Sequence, residues 1–453
     1  MIAFLRRPIA GLMVALVLLF VAAPPAAAQS VLRDSETELF FRDASRPLIK
    51  AAGLDPSNVR IVMLNDPEIN AFVATGQAIY FYSGLIMKAD NANELQGVIA
   101  HELGHIAGGH AIRIGDSESQ ANKISILSLL LGAAAMAAGA GDAGMAVMAA
   151  GQQLAMSNFL TFSRAQESSA DEAGARYLAK SGISGKGSIE FFKKLENQEY
   201  RLAIKQTDSY SRTHPLSNER IAALEQRYRA DPAWSRPTDP ALEARFQRIR
   251  AKLTGYIDPK GAVIKYPESD QSVPAHYARA YAYHLGAYPE KAAAETEALL
   301  RADPNDPFFL ELKGQVLLEG GNPKAAIAPL RQAVSIAPDQ PMIAVSLGHA
   351  LIASEDRKNF AEAKQVLKAA VNRDNDNPFA WLQLGIVYDR EGDEPRAMLA
   401  TAERSNLEDE PKRALASAKM AMAGLTPGTP DYLRAQDIAM VSEAALKKKK
   451  KKS

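Results

Sequence analysis

A mainly α fold in two units, a helical domain with a small β-sheet and then an α-solenoid of repeats, is predicted by three features of the 453-residue sequence. His101 and His105, four residues apart, lie in a run apolar enough for a buried helix. The β-branched and aromatic run Ile79-Tyr80-Phe81-Tyr82 stands ahead of it and reads as a strand. Further on, Pro307 and Pro341 are 34 residues apart, as are Gly314 and Gly348.

Taken in chain order, the first 28 residues have the three parts of a secretory signal: Arg6 and Arg7, an apolar run from Ile9 to Ala23, and small residues at Ala26-Ala27-Ala28. That run is 15 residues long, short of the roughly 20 that span a bilayer. Cleavage after Ala28 and a periplasmic location are expected, with an uncleaved anchor as the alternative. The absence of cysteine excludes disulfides and thiolate metal sites. The 53 Lys and Arg nearly cancel the 52 Asp and Glu, so no nucleic-acid partner is expected.

The segment Leu95 to Ala100 has one polar residue, Gln96, which suits a buried helix and leaves the following His101-Glu102-Leu103-Gly104-His105 in need of a reason for its polar groups. Residues four apart on a helix lie about 40° apart and one turn up, so both imidazoles face one point. Zn2+ accepts two such nitrogens. Glu102, about 100° round from His101, suits work on an activated water better than ligation. These are the parts of a zincin-type metallopeptidase domain with one Zn2+ per chain. A third ligand from the same helix is disfavoured, because the extended HExxHxxGxxH pattern meets Ala111 where its last His belongs. His110 is one residue early, about 140° from His105, and reads as a supporting residue. A later helix offers Glu167, with Asp171 four residues on and so on the same face; Glu167 could bind the metal while Asp171 fixes a ligand's ring. A solvated acidic face is the other reading of that pair.

Together these residues resemble the HExxH gluzincin metallopeptidase family of Ste-type prenyl proteases, HtpX proteases and periplasmic BepA-like peptidase-chaperones. The similarity covers roughly residues 29–228: Asn70-Ala71-Phe72 with Ile79 to Leu85, the motif at 101–105, Ser163-Arg164 through Glu167 and Ala170-Asp171, and Thr213-His214-Pro215 with Arg220-Ile221. The resemblance implies His101, His105 and Glu167 as zinc ligands and Glu102 as general base. It implies that His214 fills the open zinc position at rest, or that His214 and Arg220 steady an oxyanion. A strand over residues 75–82 could, as an edge, hold extended substrates by strand addition.

Between the two motifs, residues 124–140 and 145–156 form two Ala-, Gly- and Met-rich arms, short for membrane spans. They read as a helical hairpin packed over the site or touching lipid, and Ala and Leu at helical spacing favour core packing. Residues 236–270, with several prolines, read as a linker. Tetratricopeptide repeats then occupy 271–446. Trp381, Leu384, Gly385, Tyr388, Gly392 and Ala397 show the pattern best; a degenerate unit starts near Val273, and a poorly matching helical pair at 410–446 serves as a cap. A three-residue insertion near Glu355 to Lys358 accounts for the next proline, Pro378, falling 37 residues after Pro341. A basic tail, 447–453, ends the chain and could touch anionic lipid.

The function this predicts is an exported zinc endopeptidase for unfolded or misassembled envelope proteins, whose repeats dock polypeptide substrates or protein partners. The resemblance alone implies the outer-membrane assembly machinery as a partner. The alternative is a chaperone or adaptor with a latent, self-blocked site.

Overall fold

A computed structural model describes residues 30–74, 76–137, 141–202, 214 and 217–452. The expected signal at 1–28 lies outside the described residues. Asp34 starts the first helix by accepting from the Thr37 amide at 2.7 Å. That helix, α1 (Ser35–Ala51), buries Phe40, Phe41, Ala44 and Leu48. The four strands are β1 (Ser30–Leu32), β2 (Arg60–Asn65), β3 (Ala71–Val73) and β4 (Ala78–Tyr82). They form one sheet in the order β1-β2-β4-β3, with β2 and β4 parallel and both outer pairs antiparallel. The strand containing Ile79 to Tyr82 is therefore flanked on both sides, and the edge is the shorter Ala71–Val73. Which of two neighbouring strands lies outermost depends on long-range pairing, which local propensity does not encode.

Strand β4 runs directly into α2 (Ser83–Lys88) and then α3 (Ala92–Gly108). Asn91 caps α3 by accepting from the Glu94 amide at 2.9 Å, and Gly109, at φ 63°, ends it in the left-handed conformation. Every residue from Ala92 to His105 is buried, so this is the central helix of the domain. The long helices α4 (His110–Ala137) and α5 (Gly141–Ser181), then α6 (Lys186–Leu202) and α7 (Asn218–Arg229), surround it. α3 and α5 cross with their backbones close: a Cβ on Gly104 would lie 2.6 Å from the Ala170 carbonyl oxygen, and one on Gly174 3.1 Å from Ala100.

The expected linker is not one. Residues 236–270 hold α8 (Pro240–Ile257) and α9 (Pro259–Lys265). Phe246, Ile249 and Leu253 of α8 join the same core as Phe40 and Leu48. Its Glu243 accepts from the Ala92 amide at 2.8 Å, the start of the central helix. Two of the prolines that suggested a break, Pro240 and Pro259, sit instead at the first helical turns, after the caps Asp239 and Asp258.

The repeats stack as helix pairs: α10 (Val273–Leu285) with α11 (Pro289–Ala302), α12 (Pro307–Glu319) with α13 (Pro323–Ile336), α14 (Pro341–Ala353) with α15 (Phe360–Arg373), and α16 (Pro378–Arg390) with α17 (Glu394–Leu407). Gly314 and Gly348 recur because Leu330 and Leu367 press on them, at 2.3 and 2.5 Å from any Cβ placed there. The loop between α14 and α15 is six residues, 354–359, where that between α12 and α13 is three, 320–322. The last pair is α18 (Pro411–Gly424) and α19 (Pro430–Lys452). The separate tail expected from residue 447 is the continuation of α19, since lysine is a good helix former.

Charged side chains at the start of α1 join the two units. Glu36 accepts from the Tyr277 hydroxyl at 2.6 Å and pairs with Arg248 at 2.7 Å, and Arg248 pairs with Asp306 at 2.7 Å. Lys252, fully buried, pairs with Asp34, and Arg33 reaches Asp374 at 2.8 Å. Burial beside this network pushes the Glu311 carboxyl up from 4.5 to about 7. A carboxyl whose folded pKa is raised binds protons more tightly in the folded state. Its contribution to stability is therefore complete below pH 4.5 and lost as pH rises to about 7. Glu311→Gln is expected to flatten the fall of melting temperature across that window; a slope identical to wild type in calorimetric scans would contradict this.

Candidate metal centre

Two imidazoles from one turn of α3, a carboxylate from α5 and a third imidazole from the segment before α7 converge in the core. One ligand atom from each of His101, His105, Glu167 and His214 lies within 4.8 Å of the others, and all four side chains are buried. His101 Nε2 is 3.1 Å from His105 Nε2 and 3.2 Å from His214 Nδ1. The Glu167 oxygens lie 3.4 Å from His101 Nε2, 3.3 Å from His105 Nε2 and 3.1 Å from His214 Nδ1. The close crossing of α3 and α5 at Gly104 and Gly174 is what lets a carboxylate on one helix reach rings on the other.

Partners outside the cluster orient the rings. His101 Nδ1 donates to Asp171 at 3.0 Å, and His214 Nε2 donates to the Ala71 carbonyl on edge strand β3 at 3.2 Å. With those protons placed, His101 Nε2 and His214 Nδ1 turn their lone pairs inward. His105 Nδ1 meets His110 Nδ1 at 2.9 Å, so His110 stands behind the cluster. Arg220 forks onto the carboxylates, with Nη2 at 2.9 Å from Glu167 and from Asp171 and a further contact from Nε to Asp171. An arginine expected beside an oxyanion is instead held by two buried acids that need a cation.

The proton affinities express the same crowding. Burial lowers the His101 ring, but Asp171 and Glu167 outweigh it and push the ring up to about 10. Burial would raise the Glu167 carboxyl, yet His214, His101 and His105 hold it well below the ordinary range. Asp171, also opposed by burial, is held low by Arg220 and His101. Burial pushes His105 down, and burial together with neighbouring His105 takes His110 down to about 4. The shifts show a buried group in which the carboxylates favour positive charge beside them.

Glu102 gives the clearest test of fit to a metal. It is 0% exposed and neither carboxylate oxygen has a hydrogen bond, while Oε1 lies 3.5 Å from His214 Nε2. A buried carboxylate without hydrogen bonds costs several kcal/mol unless a charged or polar group shares its pocket, on the order of 1–3 kcal/mol or more per group. Imidazole nitrogens and a carboxylate oxygen around one point are the donor set of Zn2+. The residues present fit that ion.

Sequence reasoning brought forward His101, Glu102, His105, Glu167, Asp171, His214 and Arg220, and the structure gathers all seven. It missed the Ala71 carbonyl, which no side-chain pattern announces. It also missed the packing role of Gly104 and Gly174, whose signal is small residues on the facing sides of two helices.

Residues 41–228 match Peptidase family M48. A Yersinia pestis protein named beta-barrel assembly-enhancing protease is 24% identical over 378 residues, 82% of this chain and 76% of that protein. A Vibrio cholerae relative bearing the same name in provisional form is 28% identical over 291 residues. Those residues are 62% of this chain, and the chain spans 59% of that relative's length. Among solved structures, the tetratricopeptide-repeat protein YrrB aligns with 39% of this chain and 92% of its own, at 20% identity and a TM-score of 0.32.

Three measurements check the centre. Asp171→Asn removes the acceptor that sets the His101 ring, and zinc affinity in chelator competition is expected to fall about 10–100-fold; unchanged affinity would count against the geometry. Because zinc competes with a proton for His101, wild-type affinity should also rise with pH up to about 10. Gly104→Ala is expected to force α3 from α5 at a cost of about 1–3 kcal/mol in denaturant melts and to weaken zinc binding with it.

Proposed function

Residues 41–228 are a Peptidase family M48 domain, a zinc metalloendopeptidase unit, and from that premise we propose that the chain is an exported endopeptidase acting on unfolded or misassembled envelope proteins. The buried Glu102 carboxylate, without hydrogen bonds and beside the converging His101, His105 and Glu167, carries the proposal. His101, His105 and Glu167 would hold Zn2+, which would supply Lewis acidity toward a peptide carbonyl and lower the pKa of a water molecule. Glu102 takes the water's proton and delivers it to the leaving amine nitrogen. Asp171, fixed by Arg220, keeps the His101 ring turned inward. Burial of the whole group excludes bulk water, which strengthens each charge interaction.

The substrate reading rests on the sheet. β3 is a short edge strand beside the site, and an extended chain can add to such an edge through its main chain, which selects unfolded segments. The repeat pairs offer a second surface for recruitment. The name shared by the Yersinia pestis and Vibrio cholerae relatives supports envelope assembly as the setting. We take the periplasm, after cleavage behind Ala28, as the location, and the outer-membrane assembly machinery as partner.

His214 favours a second reading. Its ring stands 3.2 Å from His101 Nε2 and bonds the Ala71 carbonyl, the place an incoming substrate strand would use. The resting site is then self-blocked, and the repeats act as chaperone or adaptor.

Substitutions separate the two. Glu102→Gln should keep one zinc per chain while hydrolysis of an unfolded protein falls at least about 100-fold. His101→Ala and Glu167→Gln should lose the metal. His214→Ala should raise turnover if the ring blocks the site. Zinc-loaded Glu102→Gln with undiminished hydrolysis would overturn the peptidase mechanism, and full rescue of a deletion phenotype by it would make binding the main function.

A further inference from the structure

The hairpin of α4 and α5 is inside out for a structure in water. Its seam is made of small residues: Ser128, Gly132 and Ala155 are buried, and a Cβ on Gly151 would come 2.0 Å from the Ser128 Cβ. The large side chains point away from the seam. Ile126, Leu127, Leu130 and Leu131 are 55–64% exposed, and Met145 and Met156 on the second arm are 60% and 59% exposed. At about 100° per residue the four on the first arm cover an arc of about 140°, with Ser128 and Gly132 outside it. The core packing favoured by composition is therefore not what the structure shows.

In water an antiparallel helix pair hides its large apolar groups between the arms. Small residues in the seam with large apolar ones outside is the packing of helices in lipid, where the surroundings are as apolar as the side chains. The charges agree. Between Lys123 and Arg164 the sequence has one charged residue, Asp142. Lys123 and Arg164, both exposed, close the two ends of the uncharged flanks, where they complement anionic headgroups.

We propose that this hairpin seats the protein on a lipid bilayer, its apolar flanks lying in the interfacial layer of one leaflet. Among the described residues no helix is long and apolar enough to cross a membrane. Asp142, the one charge between Lys123 and Arg164, resists burial at the bilayer centre. The hairpin thus lies along the interface at a depth of about 5–10 Å. Because α5 continues unbroken from Met156 to Glu167, about 16 Å of helix, the metal centre is held at a set distance from the lipid surface. This goes beyond the peptidase reading and stands without it.

The test is flotation of the full chain with vesicles of phosphatidylethanolamine and phosphatidylglycerol. Leu127→Gln, Leu130→Gln and Leu131→Gln combined should cut the vesicle-bound fraction at least about tenfold. Zinc content and hydrolysis of a soluble peptide should be unchanged, since none of the three touches the site. In a separate variant, Leu130→Trp fluorescence should be quenched by lipids brominated on their acyl chains, and that of Leu285→Trp in the repeats should not. Equal flotation of the triple variant, or no quenching at position 130, overturns the proposal. So does a wild-type dimer in light scattering that the triple variant abolishes while vesicles bind neither protein, because the face would then be covered by a second copy.

Discussion

Two helices touching backbone to backbone set the rest of this structure. Gly104 on the central helix lies against Ala170, and Gly174 on the long second helix lies against Ala100. Side chains larger than hydrogen at these glycines would hold the helices apart, and Glu167 would no longer reach His101 and His105. The contact is small in area, yet it decides whether three potential ligands face one point or two separate surfaces. Its cost is conformational, since glycine inside a helix is disfavoured by roughly 0.5–1 kcal/mol relative to alanine. The domain accepts that cost at the two places where close approach matters.

Once the helices are close, electrostatics organises the interior. Glu102, Glu167 and Asp171 are buried together with three imidazoles, an arrangement unstable without positive charge. Arg220 pairs with Glu167 and Asp171, and the imidazoles and carboxylates around them suit a cation. The edge strand enters this network through a single carbonyl, that of Ala71, which couples the place where substrate backbone would add to the ring of His214. The edge strand and the metal centre are thus linked by one hydrogen bond.

Helix α8 packs against both units. Its Phe246, Ile249 and Leu253 complete the catalytic core, while its Arg248 and Lys252 meet acids of α1 and tyrosines of the first repeat. The hairpin of α4 and α5 projects its large side chains outward.

Much of this was legible along the chain. Spacing of four put His101 and His105 on one helical face, a 34-residue recurrence announced the repeats, and Glu167 with Asp171 offered a carboxylate pair four apart. Each rests on local geometry, in which sequence separation fixes rotation and rise. Three things were decided only in three dimensions: that 236–270 is core helix, that β3 rather than β4 is the edge, and that the hairpin turns its leucines outward. Proline marks a helix's first turn as readily as a break, strand order depends on distant partners, and exposure depends on which neighbours arrive. Residue spacing determined what could bind a metal, and the approach of glycine-bearing backbones determined that it would converge.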